Sequence, residues 1–312
     1  MGLNIIISQK KALKILKGTI LTNRIPNAFL FIGEPYVGKT TTAIFYAKAI
    51  NCQKPENFSS CDSCDSCIKI EKGLHPDVRV VVPDKNFITV DIIREIEEFL
   101  SYRNLEGKYK VAIIKQADRM NESAANAFLK TVEEPPSNTT IILTCENPYS
   151  LPEPLVSRCF KIYFSPLSSE DCKKLIPDSP DKDFLLKISM GKPGLIFSKD
   201  MIKEKKWFFS LMQEILGGSK KALWKDNEEI KWSFDLIFIM LRDVIINKFI
   251  KNYASEPILG LPDVRLKEDI KLEDIIGIYN QLQEIKRSID LNLNKSILWN
   301  YTGTLLRRLI NA

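Results

Sequence analysis

FIGEPYVGKTTT, residues 31–42, decides the fold of this chain. Phe29, Leu30, Phe31 and Ile32 form an apolar run that reads as a buried strand, and it passes into Gly33, four further residues, then Gly38, Lys39 and Thr40. Glycines at those two places let backbone N–H groups wrap an anion. Lys39 can reach the outer phosphates of a nucleotide, and Thr40 can ligate Mg2+. Thr41, Thr42, Ala43, Phe45 and Ala47 continue as a helix whose N-terminus faces the phosphates. Strand, loop and helix in this order predict an α/β nucleotide-binding module.

Composition sets the outer limits. A chain of 312 residues has room for two or three domains, and 45% hydrophobic with 27% charged residues is the balance of an ordinary globular protein. No run of 18 apolar residues and no secretory leader pattern is found, so a cytoplasmic location is expected. The net charge of +6 is spread evenly along the chain, too diffuse to define a DNA-binding surface. Upstream of the phosphate loop, residues 5–20 predict a short amphipathic helix, which Arg24, Ile25, Pro26, Asn27 and Ala28 break.

Four of the seven cysteines follow the loop's helix: Cys52, eight residues, Cys61, two, Cys64, two, Cys67. Four thiolates within sixteen positions suit a closed tetrahedral Zn2+ site of structural type. An iron–sulfur site is the competing reading, but the ferredoxin-type run would put a further cysteine at 71, where this chain has Glu71. Asp62 and Asp65 are expected as solvated loop residues. His75, the only histidine, is expected in a structural or capping role.

Val78 to Val82 and Tyr109 to Ile114 read as further strands, with a helix between them packed through Ile92, Ile93, Ile96, Phe99 and Leu100. A complete P-loop ATPase carries an acid just after a later hydrophobic strand to hold Mg2+, and usually a second to orient water. Here Lys115 and Gln116 stand there; Asp118 two positions on could substitute for the missing acids, but is expected as a cap or surface residue. Nucleotide binding without efficient hydrolysis follows. A helix from Glu122 to Val132 and a strand from Thr139 to Thr144 come next, and Thr144 ends that strand where an open α/β sheet presents ligand-contacting side chains. Arg158, between two apolar pieces, is either a surface cation or a group that engages a neighbour's phosphate.

These motifs together resemble the delta-prime subunit family of the bacterial DNA polymerase III clamp loader, within the AAA+ proteins. The resemblance is carried by the loop at 33–40, Cys52, Cys61, Cys64 and Cys67, HPDV at 75–78, TVDIIR at 89–94, ANAFLKTVEEPP at 125–136 and SRC at 157–159. It implies that Arg158 is an arginine finger acting in trans on the ATP of an adjacent motor subunit, and that Thr144 is a first nucleotide sensor. Lys115 and Gln116 replace the acids of the hydrolysing members, and Gly191, Lys192, Pro193 and Gly194 match a second-sensor region, with Leu195 where an arginine often occurs. The implied partners are gamma/tau motor subunits and a delta subunit in a hetero-pentamer, with the sliding clamp and primed DNA reached through the assembly.

The domain expectation is a nucleotide-binding-like domain at 1–165 with a zinc module at 52–67, a small helical lid at 166–208 and a helical collar at 209–312. Residues 231–250, 269–288 and 295–310 read as the collar's helices. A stretch holding Trp207, Phe208, Phe209, Leu211 and Ile215 bridges lid and collar. The expected function is a clamp-loader subunit that completes a neighbour's ATPase site. The alternative left open by Gly33, Gly38, Lys39 and Thr40 is an ATP-hydrolysing motor, gamma/tau-like or another P-loop ATPase.

Overall fold

The apolar run at 29–32 forms strand β1 (Ala28–Ile32), whose five residues are all buried. In the computed structural model, which describes residues 9–55, 59–84, 87–219, 221–249, 257–259, 265–289 and 293–311, β1 lies inside a five-stranded sheet. Its companions are β2 (Val78–Val81), β3 (Lys110–Ile114), β4 (Thr139–Cys145) and β5 (Phe160–Tyr163). The strand order is β2-β3-β4-β1-β5, and every pairing is parallel.

Parallel strands need crossovers that cover both faces, which is why β1 is apolar throughout instead of alternating. Ala28, Leu30 and Ile32 join Ala112, Ile114, Ile141 and Leu143 on one face, under helices α4 (Val90–Ser101) and α5 (Glu122–Glu133) through Ile93, Ile96, Phe128 and Val132. Phe29 and Phe31 point the other way with Val111, Ile113 and Ile142, under α1 (Lys10–Leu21) and α2 (Lys39–Asn51) through Leu16, Ala43, Tyr46 and Ile50. Burying a side chain of this size contributes roughly 1.5–3 kcal/mol, so the fully buried Phe29, Leu30 and Phe31 anchor the core. The predicted helix at 5–20 is observed as Lys10–Leu21, and residues 5–8 lie outside the described residues.

Small shifts in predicted ends have physical causes. β3 starts at Lys110, not Tyr109, because the Asn51 amide brackets Tyr109, accepting from its N–H at 2.8 Å and donating to its carbonyl at 3.0 Å. Between α2 and β2 the cysteine-bearing insertion contributes a short helix, α3 (Asp65–Glu71). After α5, helix α6 (Glu153–Arg158) leads into β5. The helices α7 (Ser169–Leu175), α8 (Lys182–Ser189) and α9 (Pro193–Ser198) come after it.

The chain divides into two compact units, Met1–Lys182 with Ser189–Phe197, and Asp183–Ile188 with Ser198–Ala312. The second is built on α10 (Met201–Leu216), α11 (Asn227–Phe249), α12 (Leu272–Ser288) and α13 (Lys295–Leu309), beside a two-stranded antiparallel ribbon, Arg265–Leu266 with Ile310–Asn311. Two polar contacts join distant parts of this unit, while the Trp224 indole N–H and the Thr302 hydroxyl are buried without a hydrogen-bond partner among the described residues. The Trp299 indole donates to Ser219 O at 2.7 Å, and Arg307 Nη1 donates to Ile215 O at 2.6 Å. The helix expected at 231–250 starts earlier, at Asn227, and residue 250 lies outside the described residues.

Candidate functional site: two ends of one sheet

Gly33 leaves β1 against the next strand's exit, where a Cβ would overlap the carbonyl oxygen of Phe164. Only glycine permits that approach. The loop then turns through Tyr36 (φ 65°) and Gly38 (φ 98°), both left-handed, and Gly38 is the N-cap position of α2. Lys39 opens the helix and Thr40 is its second residue. The Lys39 ammonium donates back to the carbonyls of Gly33 and, at 2.7 Å, Glu34, so it is held within the loop it closes. Burial pushes its pKa down, against the attraction of Glu146, Asp118 and Glu34. A buried cation facing a helix N-terminus and a turn of backbone N–H groups is an arrangement that attracts phosphate.

The neighbouring strand ends complete this side. Thr144 is opposite Phe31 in the register, and its hydroxyl accepts from the N–H of Gln116 at 3.2 Å. Gln116 is itself left-handed (φ 50°), beginning a 3-10 turn at Ala117–Arg119. Asp118 departs from its expected role as a cap or surface group. Its carboxylate accepts from the N–H groups of Glu146 and Asn147 at 3.1 and 3.4 Å, and so ties the exits of β3 and β4 together. The segment 191–194 also reaches this loop, since Gly194 N–H donates to Tyr36 O at 3.0 Å and Lys192 pairs with Glu34 at 2.5 Å. A Cβ on Gly194 would sit 2.8 Å from that same carbonyl.

Arg158 lies elsewhere. It ends α6 just before β5, whose Phe160 pairs with Phe29 near the start of β1. It lines a cavity of about 550 Å³ with Pro26, Ala28, Val132, Glu133 and Phe160. From Ala28 to Gly33 a strand rises roughly 16 Å, so Arg158 and the phosphate loop occupy opposite ends of the sheet. Its Nε pairs with Glu133 at 2.6 Å and its Nη1 donates to Pro154 O at 2.8 Å.

The cysteine module also belongs to the end where the strands start. Cys52, Cys61, Cys64 and Cys67 bring their Sγ atoms within 4.8 Å of one another. A tetrahedral zinc–thiolate centre has sulfurs about 3.8 Å apart, so the four residues fit such an ion. The thiols are not equivalent. Hydrogen bonding from Ser63 and from the N–H groups of Ser63 and Cys64 draws Cys61 down to about 6, whereas burial pushes Cys52 and Cys67 up. A divalent cation would convert such a set to thiolates and release protons.

The module is fastened to the sheet by polar groups that sequence reasoning assigned only in part. Ser66 Oγ donates to Asn51 O at 2.9 Å and lies 3.2 Å from His75 Nε2, while His75 Nδ1 accepts from Asp77 N–H at 3.1 Å. The structural role expected of His75 is thereby explained. Asp62 is an exposed loop residue, as expected, and it also pairs with Lys48 of α2 at 2.6 Å and accepts from Ser60. Lys48, buried in the long helix, needs a carboxylate partner. Asp77 is fully buried, and burial alone would raise its pKa. The N–H groups of Gly107, Glu106 and Leu105 and the Lys110 ammonium instead hold it below the usual carboxylate range.

A parallel sheet whose first strand runs through a glycine-rich loop onto a helix N-terminus defines the P-loop α/β class of proteins. Within it, the family described as DNA polymerase III, delta subunit matches residues 8–168, slightly more than half of the chain, and the chain belongs to that family. A delta-prime subunit of DNA polymerase III from Bacillus subtilis is 37% identical over 159 residues, 51% of this chain and 48% of that one. The tau subunit from Escherichia coli is 30% identical over 168 residues, 54% of this chain and 26% of that one. The chain thus spans about half the length, or less, of these curated relatives. In fold, it is similar to a DNA polymerase III gamma subunit-related protein from Thermotoga maritima, with a TM-score of 0.53 at 18% identity, over 95% of this chain and 98% of that one. Among the described residues, no helix is long and apolar enough to cross a membrane.

Proposed function

We propose that this chain is a delta-prime subunit of a DNA polymerase III clamp loader of the AAA+ type, and that it supplies Arg158 in trans to the ATP of a neighbouring gamma or tau motor subunit. The observation that carries the reading is the separation just described: a strand's length stands between Arg158 and the chain's own phosphate loop. A guanidinium at the sheet's starting end cannot serve its own nucleotide but is available to another subunit's. There it would balance the charge that develops on the transferred phosphoryl group.

The chain's own site supports nucleotide binding through Gly33, Gly38, Lys39 and Thr40, with Thr144 as the sensing hydroxyl. Hydrolysis is disfavoured. Where a motor has carboxylates for Mg2+ and water, this chain has the cation Lys115 and the neutral amide Gln116. Asp118 is committed to the N–H groups of Glu146 and Asn147. Zn2+ is the cation that best suits four cysteines, in a structural site. The delta and motor subunits, the sliding clamp and primed DNA are the partners of this reading, and the cytoplasm is its location. The domain division at 1–165, 166–208 and 209–312 belongs to it as well, with lid and collar sharing α10, which runs unbroken through residue 208.

Similarity to tau favours a second reading, a hydrolysing motor. The test of both is turnover. In a reconstituted assembly in which only the motor facing Arg158 can hydrolyse ATP, Arg158→Ala is expected to remove DNA-stimulated turnover and leave assembly mass intact. Lys39→Ala should change it far less. Full turnover in Arg158→Ala with severe loss in Lys39→Ala, or ATP hydrolysis by the isolated chain that Lys39→Ala abolishes, would reverse the assignment.

A further inference from the structure

Arginine has four rotatable bonds, and a cation that must meet a phosphate in another subunit works only if its direction is set beforehand. The two contacts of Arg158 do this. Glu133, the last residue of α5, takes Nε at 2.6 Å from one side, and Pro154 O, one turn back along α6, takes Nη1 at 2.8 Å from the other. Of the five guanidinium N–H donors, these contacts use two. They leave both hydrogens of Nη2 and the second of Nη1 without a hydrogen-bond partner among the described residues, on a partly exposed side chain that lines the cavity. Both side chains of the ion pair are about two-fifths exposed, where such a pair contributes little to stability. Its effect is on direction.

We propose that Glu133 is a positioning residue for Arg158, fixing the plane of the guanidinium so that its free edge is presented to a phosphoryl group across the subunit boundary. This rests on the trans role of Arg158 set out above. Two opposing effects of the carboxylate have to be weighed. It orients the cation, and it also offsets part of its positive field. A half-exposed carboxylate is screened by water, so its field at a phosphate farther out is weak, whereas a misdirected reacting or stabilising group costs rate steeply. Orientation therefore dominates, and losing Glu133 slows the neighbour's chemistry.

The experiment measures ATP turnover at the motor site facing Arg158 in the reconstituted assembly, separating kcat from KM, for Glu133→Ala, Glu133→Gln, Arg158→Ala and the Glu133→Ala/Arg158→Ala double variant. Glu133→Ala is expected to lower kcat about tenfold with KM for ATP little changed, because the lost interaction matters in the transition state and not in binding. Glu133→Gln, which keeps an oxygen to accept from Nε without the charge, should recover to within about threefold of the unaltered chain. The double variant should be no slower than Arg158→Ala alone, since the two residues act as a unit. Loss in Arg158→Ala together with full kcat in Glu133→Ala would sink the positioning role and leave the trans arginine standing. So would losses that multiply in the double variant, or a Gln variant as slow as Ala. Full turnover in Arg158→Ala would instead overturn the trans reading itself. A subunit mass and melting temperature for each variant separate these results from misfolding.

Discussion

The two ends of the parallel sheet present different chemistry. Where the strands finish, the backbone is arranged for an anion: Gly38 is left-handed, Lys39 is turned inward, and Thr144 and Gln116 close the side. No acid follows β3 directly to activate water. Where the strands start, Arg158 lines a cavity, held by Glu133 and Pro154 O, and the cysteine cluster follows the far end of α2. If Arg158 acts in trans, as proposed, the contrast means that sites in such a chain are to be sought between subunits, and that a P-loop marks where a nucleotide would be held, not where it is cleaved.

The largest expected effect would break this comparison outright. Arg158→Ala should lower turnover at the neighbouring motor about 10³-fold, the scale of a lost arginine finger, measured by single-site ATPase in the assembly. Next comes the buried charge at the strand starts. Asp77→Asn should cost about 3 kcal/mol, because Lys110, almost wholly buried, would keep its charge with no carboxylate beside it. Urea unfolding reads this cost directly, and its pH dependence has a definite sign. The folded carboxyl's pKa lies below the unfolded one, so its contribution is complete above about pH 4 and is lost as pH falls through the folded value. The gap between Asp77→Asn and the unaltered chain should therefore close in acid.

A smaller effect sharpens the contrast. Cys64→Ser should bring zinc, measured by metal analysis, below one ion per chain and lower the melting temperature by about 5 °C. Nucleotide affinity, set at the other end of α2, should barely change. The smallest concerns the segment that touches the phosphate loop. Gly194→Ala should cost about 1 kcal/mol, since its Cβ meets the Tyr36 carbonyl and the neighbours must give way. Equal losses from Cys64→Ser in metal content and in nucleotide affinity would show that the two ends are not independent.

Much of this was legible in the residues, and what was not has one cause. The phosphate loop and the cysteine cluster are local patterns, eight and sixteen positions long, and an apolar run such as Phe29–Ile32 announces a buried strand wherever it occurs. The partners of Asp62, Asp118 and Asp77 were not legible. Most of their donors lie 14 to 33 residues away and are mostly backbone N–H groups, which any sequence possesses. The position of Arg158 relative to Lys39 needed the strand order, since nothing in the segment 153–158 says that it ends beside the start of β1. Asn51, which shortens β3 by one residue, is silent for the same reason.

Helix α2 has a mechanical consequence. Its first residue is inside the phosphate loop, and its last, Asn51, is bolted to Tyr109 and Ser66 next to the first cysteine of the cluster. Thirteen residues make a strut roughly 20 Å long, and a tilt of a few degrees about one tip would swing the other by more than 1 Å. With the far tip clamped, that lever has no play.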